Sequence, residues 1–476
     1  MGQEIAQEAF EQADFDAFHA RVADETARLR QWFETERFSR RSFMAGFEAE
    51  AWLVGASAEP VPMNAAFLDA LDNDLVVPEL SQFNVEVNGS PTSLTARAFS
   101  RLADELDHTW AQCRSCAESL GARVLMIGIL PTVPPEALCL DNISSMSRYR
   151  ALNTELLRQR GGEPFELDIQ GAGAGAERLR RTHPDVMAEA AATSFQVHLQ
   201  VRQANAARLY NASLAVSAPL VAVSANSPYL FGHDLWAETR IPVFEQAINP
   251  GLGALPRVTF GQGYVRDSLL ELFEENLADY PPLLPAVSDA DAGTLANLRF
   301  HNGTIWRWNR PLIGFDHDGI PHLRIEHRVV PAGPTVEDSI ANAALYYGLV
   351  ASLSTRDEPI EQVLPFDAAR DNFYAAARDG LDARIRWPGA SGAVDLRDLV
   401  LEELLPLAFE GLEWLGVPDA EARGFLGTIE RRVDSRQNGA TWQRRWVERH
   451  GRDFQGLTLA YLECQATGTP VHRWPV

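Results

Sequence analysis

The sequence contains no lysine: all 42 of its basic side chains are arginines, against 65 acidic ones, and the formal net charge is −23. This absence excludes every mechanism that needs a lysine amine, including the Walker-A phosphate loop, the protein-kinase nucleotide lysine, the pyridoxal Schiff base and the lysine nucleophile. A biased genome would explain the composition, but the exclusion holds in either case. Any phosphate chemistry must therefore use arginine, metal ions and backbone amides.

The chain also lacks a basic surface and a long apolar run. We therefore expect no nucleic-acid partner and no membrane partner. The longest apolar stretch, 214–225, is broken by Ser217, Pro219 and Ser224, which favours a buried helix. Residues 1–40 are polar and acidic and do not resemble a signal peptide, so the sequence predicts a cytoplasmic protein.

Cysteine is scarce, with four residues in 476. Cys113 and Cys116 are one helical turn apart, and no second pair completes a zinc site. A helical pair at this spacing is poorly placed for a disulfide. We expect all four cysteines, including Cys139 and Cys464, to be buried free thiols.

The pattern of apolar residues divides the chain into three expected regions. Residues 1–40 form a helical extension, in which aromatic and aliphatic residues recur at near-helical spacing. Residues 41–334 alternate short strands with helices, including a helix at 98–120 and an apolar strand at 124–130. Residues 335–476 are expected to be helical. Together these features predict an α+β fold, with antiparallel-type strands and helices packed around and after them.

The segment Gly171–Gly175, with the alternation GAGAGA, looks at first like a phosphate-binding glycine loop. It contains no lysine and is not expected to follow a strand. We therefore interpret it as a linker or lid rather than a dinucleotide site.

Four predicted strands carry chemically unusual residues on one face. Side chains alternate across a strand, so Glu48 and Glu50 lie side by side on the face opposite Phe47 and Ala49. Two carboxylates this close are unfavourable unless a cation compensates them. The same alternation puts polar residues on one face of three further strands: Asn84, Glu86 and Asn88, with Glu79 just upstream; Gln196, His198 and Gln200; and Arg324, Glu326 and Arg328.

These residues are the oxygen ligands, imidazole and guanidinium groups that a metal–phosphate site uses. One continuous sheet face would hold them all. Three other interpretations stay open at this point: a solvated strand face, a structural histidine at position 198, and an ion-paired ladder around Glu326. Their weakness is that several carboxylates without lysine partners would leave costly unpaired charge on that face.

Seven segments, in this order, resemble the glutamate–cysteine ligase family of carboxylate–amine ligases, which have a glutamine-synthetase-like catalytic fold. The resemblance covers about residues 43–350. The segments are GFEAEAWLV (46–54), PELSQFNVEVN (78–88), MSRYRAL (146–152), FQVHLQV (195–201), SANSP (224–228) followed by Arg240, HNGTIWRWNRP (301–311) and LRIEHR (323–328).

The resemblance implies a curved antiparallel sheet and an ATP-dependent ligase with two or three Mg²⁺ ions, Mn²⁺ being an alternative. It implies that Arg328 lies at the ATP phosphates as a catalytic residue, and that Arg240 is a second catalytic candidate. Arg148, Arg240 and Arg310 are candidates to bind a substrate carboxylate or the transferred phosphoryl group. The implied metal ligands are Glu48, Glu50, Glu79, Glu86, His198 and Glu326.

Two positions depart from the family pattern. Gln196 stands where many relatives have a second histidine, and Gly89-Ser90-Pro91 stands where many have a Thr-Pro turn.

The resemblance implies a ligase that joins L-glutamate to L-cysteine or a related amine, both small-molecule substrates. The alternatives are a non-catalytic or regulatory relative that binds metal or nucleotide, a ligase with another amine acceptor, and a phosphohydrolase or phosphotransferase.

Overall fold

The computed structural model describes residues 4–41, 43–173, 175–251 and 253–476. Within these ranges, eight strands form a central sheet and the others form two-stranded sheets. The strands are β1 (Met44–Val54), β2 (Val76–Pro78), β3 (Asn84–Asn88), β4 (Thr92–Ser93), β5 (Arg123–Leu125), β6 (Phe165–Gln170), β7 (Arg178–His183), β8 (Phe195–Val201), β9 (Tyr229–Leu230), β10 (His233–Asp234), β11 (Val258–Thr259), β12 (Trp306–Arg307), β13 (Asn309–Phe315), β14 (Pro321–His327), β15 (Arg384–Arg386) and β16 (Ala393–Asp395).

Helices precede, interrupt and follow the strands of the central sheet. They are α1 (Gln12–Glu34), α2 (Asn64–Leu71), α3 (Ala98–Ser119), α4 (Ser147–Gln159), α5 (Ala206–Ser224), α6 (Arg240–Ala247), α7 (Leu270–Asp279), α8 (Ala296–Gly303), α9 (Val336–Thr355), α10 (Ile360–Val363), α11 (Phe366–Asp379), α12 (Leu396–Leu399), α13 (Leu405–Trp414), α14 (Asp419–Asp434), α15 (Gly439–His450) and α16 (Phe454–Ala466). The α+β prediction is confirmed.

The central sheet is antiparallel, with strand order β13-β14-β8-β1-β3-β2, and β4 and β5 also pair with β1. On β1, Phe47, Ala49 and Ala51 belong to the main apolar core. The alternation of side chains therefore directs Glu48 and Glu50 to the opposite face. Helices α5 and α9 cover the apolar face.

Helix α9 also fixes the strand backbones. The Tyr347 hydroxyl lies 2.7 Å from the carbonyl oxygen of His198 and 3.2 Å from that of Gly46. The helix starts at a capped end, where the Thr335 side-chain oxygen accepts a hydrogen bond from the backbone N–H of Asp338. Because the helix is buried along nearly its whole length, it is a rigid support behind β1 and β8.

The register of the sheet brings the four predicted polar faces together. Glu326 on β14 pairs with His198 on β8, and His198 pairs on its other side with Gly46 on β1. Glu50 on β1 pairs with Glu86 on β3. Since β14, β8, β1 and β3 are consecutive in the sheet, their polar side chains share one surface, as the interpretation of a single sheet face required.

The N-terminal helix is α1, which is shorter than the helical extension expected at 1–40. It packs on α7 and α8. Its contact with α8 includes buried hydrogen bonds: the Glu25 carboxylate accepts from Asn297 Nδ2 and from Leu298 N, both at 2.7 Å. The division of the chain near residues 41 and 335 stays a prediction. Residues 1–3 lie outside the described part of the chain.

In the part of the chain that the structure describes, one helical stretch, Gln203–Ser224, which contains α5, is long and apolar enough to cross a membrane by length and composition, but 89% of its apolar window is buried inside the protein. This burial is typical of a core helix, so the expectation of a buried helix at 214–225 is confirmed. The four cysteines are free thiols, as expected, but only Cys113 is buried; Cys116, Cys139 and Cys464 are half-buried, so the expectation of burial was wrong for these three.

Two expected elements have different bounds. The strand expected at 124–130 is only the three-residue β5, because the next carbonyl, that of Met126, accepts hydrogen bonds from Tyr461 and Gln465 of α16. The region after 335 is not wholly helical, since β15 and β16 form a hairpin between α11 and α12.

The glycine-rich segment 171–175 follows strand β6 and precedes β7, with which β6 forms an antiparallel hairpin. The expectation that it follows no strand was wrong. The signal was present, because Phe165, Leu167 and Ile169 alternate with exposed or half-buried polar residues. Ala174 of this segment lies outside the described residues.

Candidate active site

The polar face of the sheet forms the floor of a cavity of about 330 Å³. Strands β1, β3, β13 and β14 contribute acidic and basic side chains, and helices α4, α6 and α8 contribute to the walls. The lining includes Glu48, Glu50, Glu79, Glu86, Arg148, Tyr149, Glu189, Gln196, Phe244, Arg299, Phe300, Asn302, Thr304, Trp306, Arg310, Leu312, Arg324, Glu326 and Arg328.

Glu48, His198 and Glu326 form one cluster, in which a ligand atom of each residue lies within 4.8 Å of the others. His198 Nε2 is 3.4 Å from Glu48 Oε1 and 4.0 Å from Glu326 Oε1. Burial favours the neutral form of Glu48, but the positive charge of His198 and its hydrogen bond outweigh burial and lower the pKa of Glu48 to about 2. We call these three residues cluster A; its Glu48 carboxylate is ionised at neutral pH.

Two arginines compensate the charge of Glu326. Arg310 donates from Nε and Nη2 to the two carboxylate oxygens, at 2.8 and 3.0 Å, which is the bidentate geometry that favours arginine over other cations. Arg328 Nη1 donates to Glu326 Oε2 at 3.0 Å and also contacts Gln196 Oε1. Although burial opposes ionisation, these two guanidinium groups lower the pKa of Glu326 well below its usual value.

Glu50, Glu79 and Glu86 form a second group of ligand atoms within 4.8 Å of one another, which we call cluster B. Burial, followed by the negative charge of Glu79, raises the pKa of Glu50 to about 7. The Glu50 carboxylate accepts hydrogen bonds from Ser194 N at 2.7 Å, from Ser194 Oγ at 2.8 Å and from Gln196 Nε2 at 3.0 Å. These hydrogen bonds favour the ionised form but do not outweigh the effects that raise the pKa. Burial and the charges of Glu48 and Glu79 raise the pKa of Glu86 well above its usual value.

A fourth carboxyl group extends cluster B. Glu189 lies on a short 3₁₀ helix, Val186–Ala191, and lines the cavity. Burial and the charges of Glu79 and Glu50 raise its pKa well above the usual value. No sequence signal marked Glu189, because it lies outside the strands and helices whose alternating pattern of apolar and polar residues can be recognised in the sequence.

The two clusters differ in how their charge is compensated. Cluster A contains an imidazole and contacts two arginines, whereas in cluster B burial and neighbouring carboxylates raise the pKa of Glu50 and of Glu86 and favour their protonated forms. Cluster A supplies carboxylate oxygens and an imidazole nitrogen, and cluster B supplies carboxylate oxygens; these ligand sets suit Mg²⁺ or Mn²⁺. A divalent cation would replace the protons of cluster B, so the residues fit a metal site in charge as well as in donor chemistry.

Two predicted substrate-binding arginines lie in different surroundings. Arg148 on α4 lines the cavity, and its Nη2 donates to the Tyr149 hydroxyl at 2.7 Å. Arg240 does not line the cavity and is only 2% exposed. Its Nη2 donates to the Val329 carbonyl oxygen at 2.6 Å, and its Nε donates to Glu238 Oε1 at 3.2 Å. Arg240 therefore supports the backbone that follows β14 and is not placed to touch a ligand from the cavity.

Arg324 lies on the polar face of β14, as strand alternation predicts, but the family resemblance assigns it no role. It lines the cavity together with Arg299 of α8. The sequence signal for Arg324 was its spacing of two residues from Glu326. No comparable signal marked Arg299, because only the packing of α8 beside the sheet brings it to the cavity.

The cavity thus contains the carboxylates of cluster A, which arginines compensate, the carboxyl groups of cluster B, which lack such compensation, and several arginine guanidinium groups. Such a site stabilises negative charge spread over phosphoryl and carboxyl oxygens, and it contains no lysine.

Two curated proteins are similar to this chain over much of its length. A Salinispora tropica protein named "Putative glutamate–cysteine ligase 2" is 26% identical over 441 residues, covering 89% of this chain and 95% of that protein. A Frankia casuarinae protein named "Putative glutamate–cysteine ligase 2-1" is 29% identical over 286 residues, covering 58% of this chain and 63% of that protein.

Two solved structures share the fold. A Francisella tularensis glutamate–cysteine ligase in complex with AMP superposes with a TM-score of 0.53 at 12% identity, covering 92% of this chain and 91% of that one. A bifunctional glutathione synthetase from Pasteurella multocida gives the same TM-score and identity; 93% of this chain matches 54% of that longer one.

A family model described as glutamate–cysteine ligase family 2 matches residues 44–461, which span the central sheet, the cavity and most of the C-terminal helices. The chain belongs to glutamate–cysteine ligase family 2 and is a carboxylate–amine ligase.

Proposed function

We propose that the protein joins the γ-carboxylate of L-glutamate to the amine of L-cysteine, or of a related small amine, with ATP and Mg²⁺. The observation that carries the proposal is the contrast between clusters A and B within one cavity. Ionised and arginine-compensated carboxylates lie beside Glu50 and Glu86, whose raised pKa values reflect burial and the negative charge of neighbouring carboxylates without a compensating cation. This contrast suits a bound metal–nucleotide complex better than it suits an empty solvated cleft.

The chemical difficulty in this reaction is that a carboxylate is a poor electrophile. In the proposed reaction, a γ-carboxylate oxygen attacks the γ-phosphorus of ATP, the bond to the β-phosphate oxygen breaks, and ADP leaves. The amine then attacks the acyl carbon of the resulting acyl phosphate, inorganic phosphate leaves, and the amine nitrogen loses a proton to solvent. No protein nucleophile is needed, which agrees with a sequence without lysine.

The metal ligands in this proposal are Glu48, His198 and Glu326 of cluster A and Glu50, Glu79 and Glu86 of cluster B. Bound Mg²⁺ supplies charge neutralisation of phosphate oxygens, and Mn²⁺ suits the same ligands. Glu189, beside Glu50 and Glu79, is a further carboxyl group that could lose its proton when a cation binds at cluster B.

Arg328 is the proposed catalytic arginine. Its Nη1 contacts Glu326 and Gln196, so the fork is held in place before any ligand arrives. A preorganised guanidinium can stabilise charge on the transferred phosphoryl group without reorganising during the reaction. Arg310 holds Glu326 from the other side, and Arg148 is proposed to contact substrate at the α4 wall. Arg240 is proposed as a positioning residue for Arg328, whose carbonyl oxygen accepts from Arg240 Nη2 at 3.3 Å.

The proposal is tested by incubating the protein with Mg²⁺, ATP and L-glutamate, with a panel of amines headed by L-cysteine. ADP release and product mass are measured together. ADP and a γ-glutamyl amide formed in equal amounts with one amine support the proposal and name the acceptor. Phosphate release without amide would indicate a phosphohydrolase, and nucleotide or metal binding without ADP release would indicate a non-catalytic relative.

A further inference from the structure

A second cavity, of about 470 Å³, lies along strand β7 and takes no part in the proposed reaction. Four consecutive residues of the strand, 178–181, line it. Successive side chains of a strand point to opposite faces, so only the edge of a strand presents four residues in a row to one cavity. The cavity is therefore a groove along the outer edge of β7, which we call the β7 groove.

The hairpin partner of β7 shows which backbone groups point towards this groove. Asp168 on β6 lies opposite Arg180, and its backbone faces away from β7: its N–H donates to Gln246 Oε1 at 2.8 Å, and its carbonyl oxygen accepts from Gln246 Nε2 at 3.3 Å. Two opposite residues of an antiparallel pair point their backbone groups either both towards or both away from each other. The N–H and C=O groups of Arg180, and by alternation those of Arg178 and Thr182, therefore point away from β6.

These outward groups have no hydrogen-bond partner in the part of the chain that the structure describes, since β6 and β7 form a two-stranded sheet. The opposite wall of the groove does not supply one. Pro131, Pro134 and Pro135 lack an N–H group, and the Val133 N–H already donates to the Leu130 carbonyl oxygen at 3.1 Å. An unpaired strand edge of this kind is a template for an extended segment of another chain.

The edge is held in place by contacts at the start of β7. The Glu177 carboxylate accepts a hydrogen bond from the backbone N–H of Asp234 on β10 at 2.9 Å. It also accepts one from Arg452, between α15 and α16, at 3.0 Å. An extended segment would therefore meet an edge that is already formed, which lowers the cost of binding.

The side chains along the edge are basic, although the net charge of the chain is −23. Arg180 is exposed and lies 3.8 Å from Asp168, whose two oxygens already accept from Arg178 at 2.6 Å. Arg181 lies 3.7 Å from the exposed Glu136. Exposed ion pairs of this kind contribute little. Both arginines can therefore bind the carboxylates of a ligand.

The inner face of the groove is largely apolar. Leu179 is buried, and Val133 and Phe231 also line this part of the groove. Arg181 shares the face with Leu179 and lies 5.6 Å from the centre of the Phe231 ring. A strand paired with β7 directs alternate side chains to its two faces. A segment in which acidic and aliphatic residues alternate would therefore place carboxylates beside Arg180 and aliphatic groups beside Leu179.

We propose that the β7 groove binds an extended acidic segment of a partner protein, which adds as a third strand to the β6–β7 sheet. Among the described residues, none lines both this groove and the candidate active site. Charged residues on a free edge also protect a sheet from pairing with a second copy of itself. The arginines oppose such self-pairing because two β7 edges repel each other, whereas they attract an acidic segment.

The probe is a fluorescein-labelled peptide of seven residues in which glutamate and valine alternate. Its binding to the full-length protein is measured by fluorescence anisotropy. A counterpart with glutamine in place of glutamate should bind about 10-fold more weakly, because the attraction to the arginines is lost. A counterpart with N-methyl groups on two adjacent backbone nitrogens should bind about 5-fold more weakly, because in either register one hydrogen bond to β7 is lost.

The test variant is R180Q/R181Q, and R266Q is the matched control, because Arg266 is an exposed arginine outside the groove. R180Q/R181Q should bind the acidic peptide about 3- to 10-fold more weakly than wild type, and R266Q should bind it equally well. Hydrogen exchange gives a second measurement. The peptide should slow exchange at the outward amides of Arg178, Arg180 and Thr182.

Failure of the acidic peptide to bind, or equal affinities of wild type and R180Q/R181Q, would overturn the proposal. Binding that neither protects the outward amides nor weakens with the N-methylated peptide would show a charged surface rather than a strand-binding edge, and would also overturn it. Self-association of the wild type that R180Q/R181Q abolishes, without peptide binding, would instead assign the edge to a second copy of the chain.

Discussion

Glu50 on β1 lies directly opposite Glu86 on β3, and both carboxyl groups are buried. Two acids in this relationship repel each other and resist ionisation. Their protonation should therefore depend on whether a cation is bound, and this dependence can be measured without an activity assay.

The stability of the metal-free protein should fall as pH rises. The pKa of Glu50 is raised from 4.5 to about 7, so the folded protein retains a proton that the unfolded chain loses between these values. Unfolding free energy then decreases with rising pH across this window, by about 3 kcal/mol for a shift of this size. Glu48, with a pKa of about 2, contributes stability that is constant above about pH 4.5 and is lost only in stronger acid.

Mg²⁺ should reverse that loss. Denaturant unfolding at pH 5.5 and pH 8, with and without millimolar Mg²⁺, should show the larger stabilisation at pH 8, because at pH 5.5 protons compete with the metal for the carboxylates of cluster B. The variant E50Q should weaken both the pH dependence and the Mg²⁺ effect. An equal Mg²⁺ effect at the two pH values would contradict the assignment of cluster B.

Cluster A and cluster B variants should separate activity from stability. In E86Q, an amide replaces a carboxyl group that is already protonated in the metal-free protein, so stability should change by less than about 1 kcal/mol while kcat falls at least about 100-fold. The exposed control E118Q should change neither. E86Q with near-normal turnover would remove Glu86 from the metal site.

E326Q should lose both activity and stability. Replacing Glu326 leaves Arg310 and Arg328 without their shared carboxylate, and breaking such a buried network costs about 3–5 kcal/mol. Chemical denaturation of E326Q beside E86Q measures the difference. If both variants were equally stable, the proposed distinction between the clusters would be wrong.

Arg240 should act through the backbone. R240M breaks its buried ion pair with Glu238 and its hydrogen bond to the Val329 carbonyl, so unfolding free energy should fall by about 3–5 kcal/mol. The KM values should change little, because Arg240 does not line the cavity. A selective KM increase without destabilisation would instead restore Arg240 as a substrate-binding residue.

Much of this site was visible in the sequence because strand alternation is a local property. β8 was predicted with its observed bounds, and Glu48, Glu86 and Glu326 were assigned to polar faces that do coincide. The pairing of Glu50 with Glu86 could not be derived, since register depends on contacts between strands that are distant in the chain.

Other features depend on tertiary contacts that no local pattern encodes. The apolar run after Val124 was mistaken for a longer strand, because its backbone hydrogen bonds go to α16, more than 300 residues away. Glu189 and Arg299 reach the cavity from a short 3₁₀ helix and from α8. Arg240 is buried by contacts with Glu238 and with the backbone that follows β14. The sequence does not reveal these contacts, and the family resemblance therefore suggested a ligand-binding arginine at this position.

The C-terminal helices can be tested through two glycines. A Cβ atom at Gly411 of α13 would overlap the carbonyl oxygen of Gly348 on α9, whereas a Cβ atom at Gly424 of α14 meets nothing within 4 Å. G411A should therefore destabilise the protein by at least about 1–3 kcal/mol, and G424A should be neutral or stabilising by up to about 1 kcal/mol. Melting temperatures of the two variants provide the measurement. Equal effects would contradict the close crossing of α9 and α13.

The central claim is that a substrate carboxylate is activated by phosphorylation. L-Glutamate labelled with ¹⁸O in its γ-carboxylate is turned over with Mg²⁺, ATP and the accepted amine, and the released phosphate is analysed by mass spectrometry. The account predicts that one ¹⁸O atom per turnover appears in inorganic phosphate, because the oxygen that attacks the γ-phosphorus leaves with it. Amide formation with all the label retained in the product, or recovered in AMP, would contradict an acyl-phosphate mechanism.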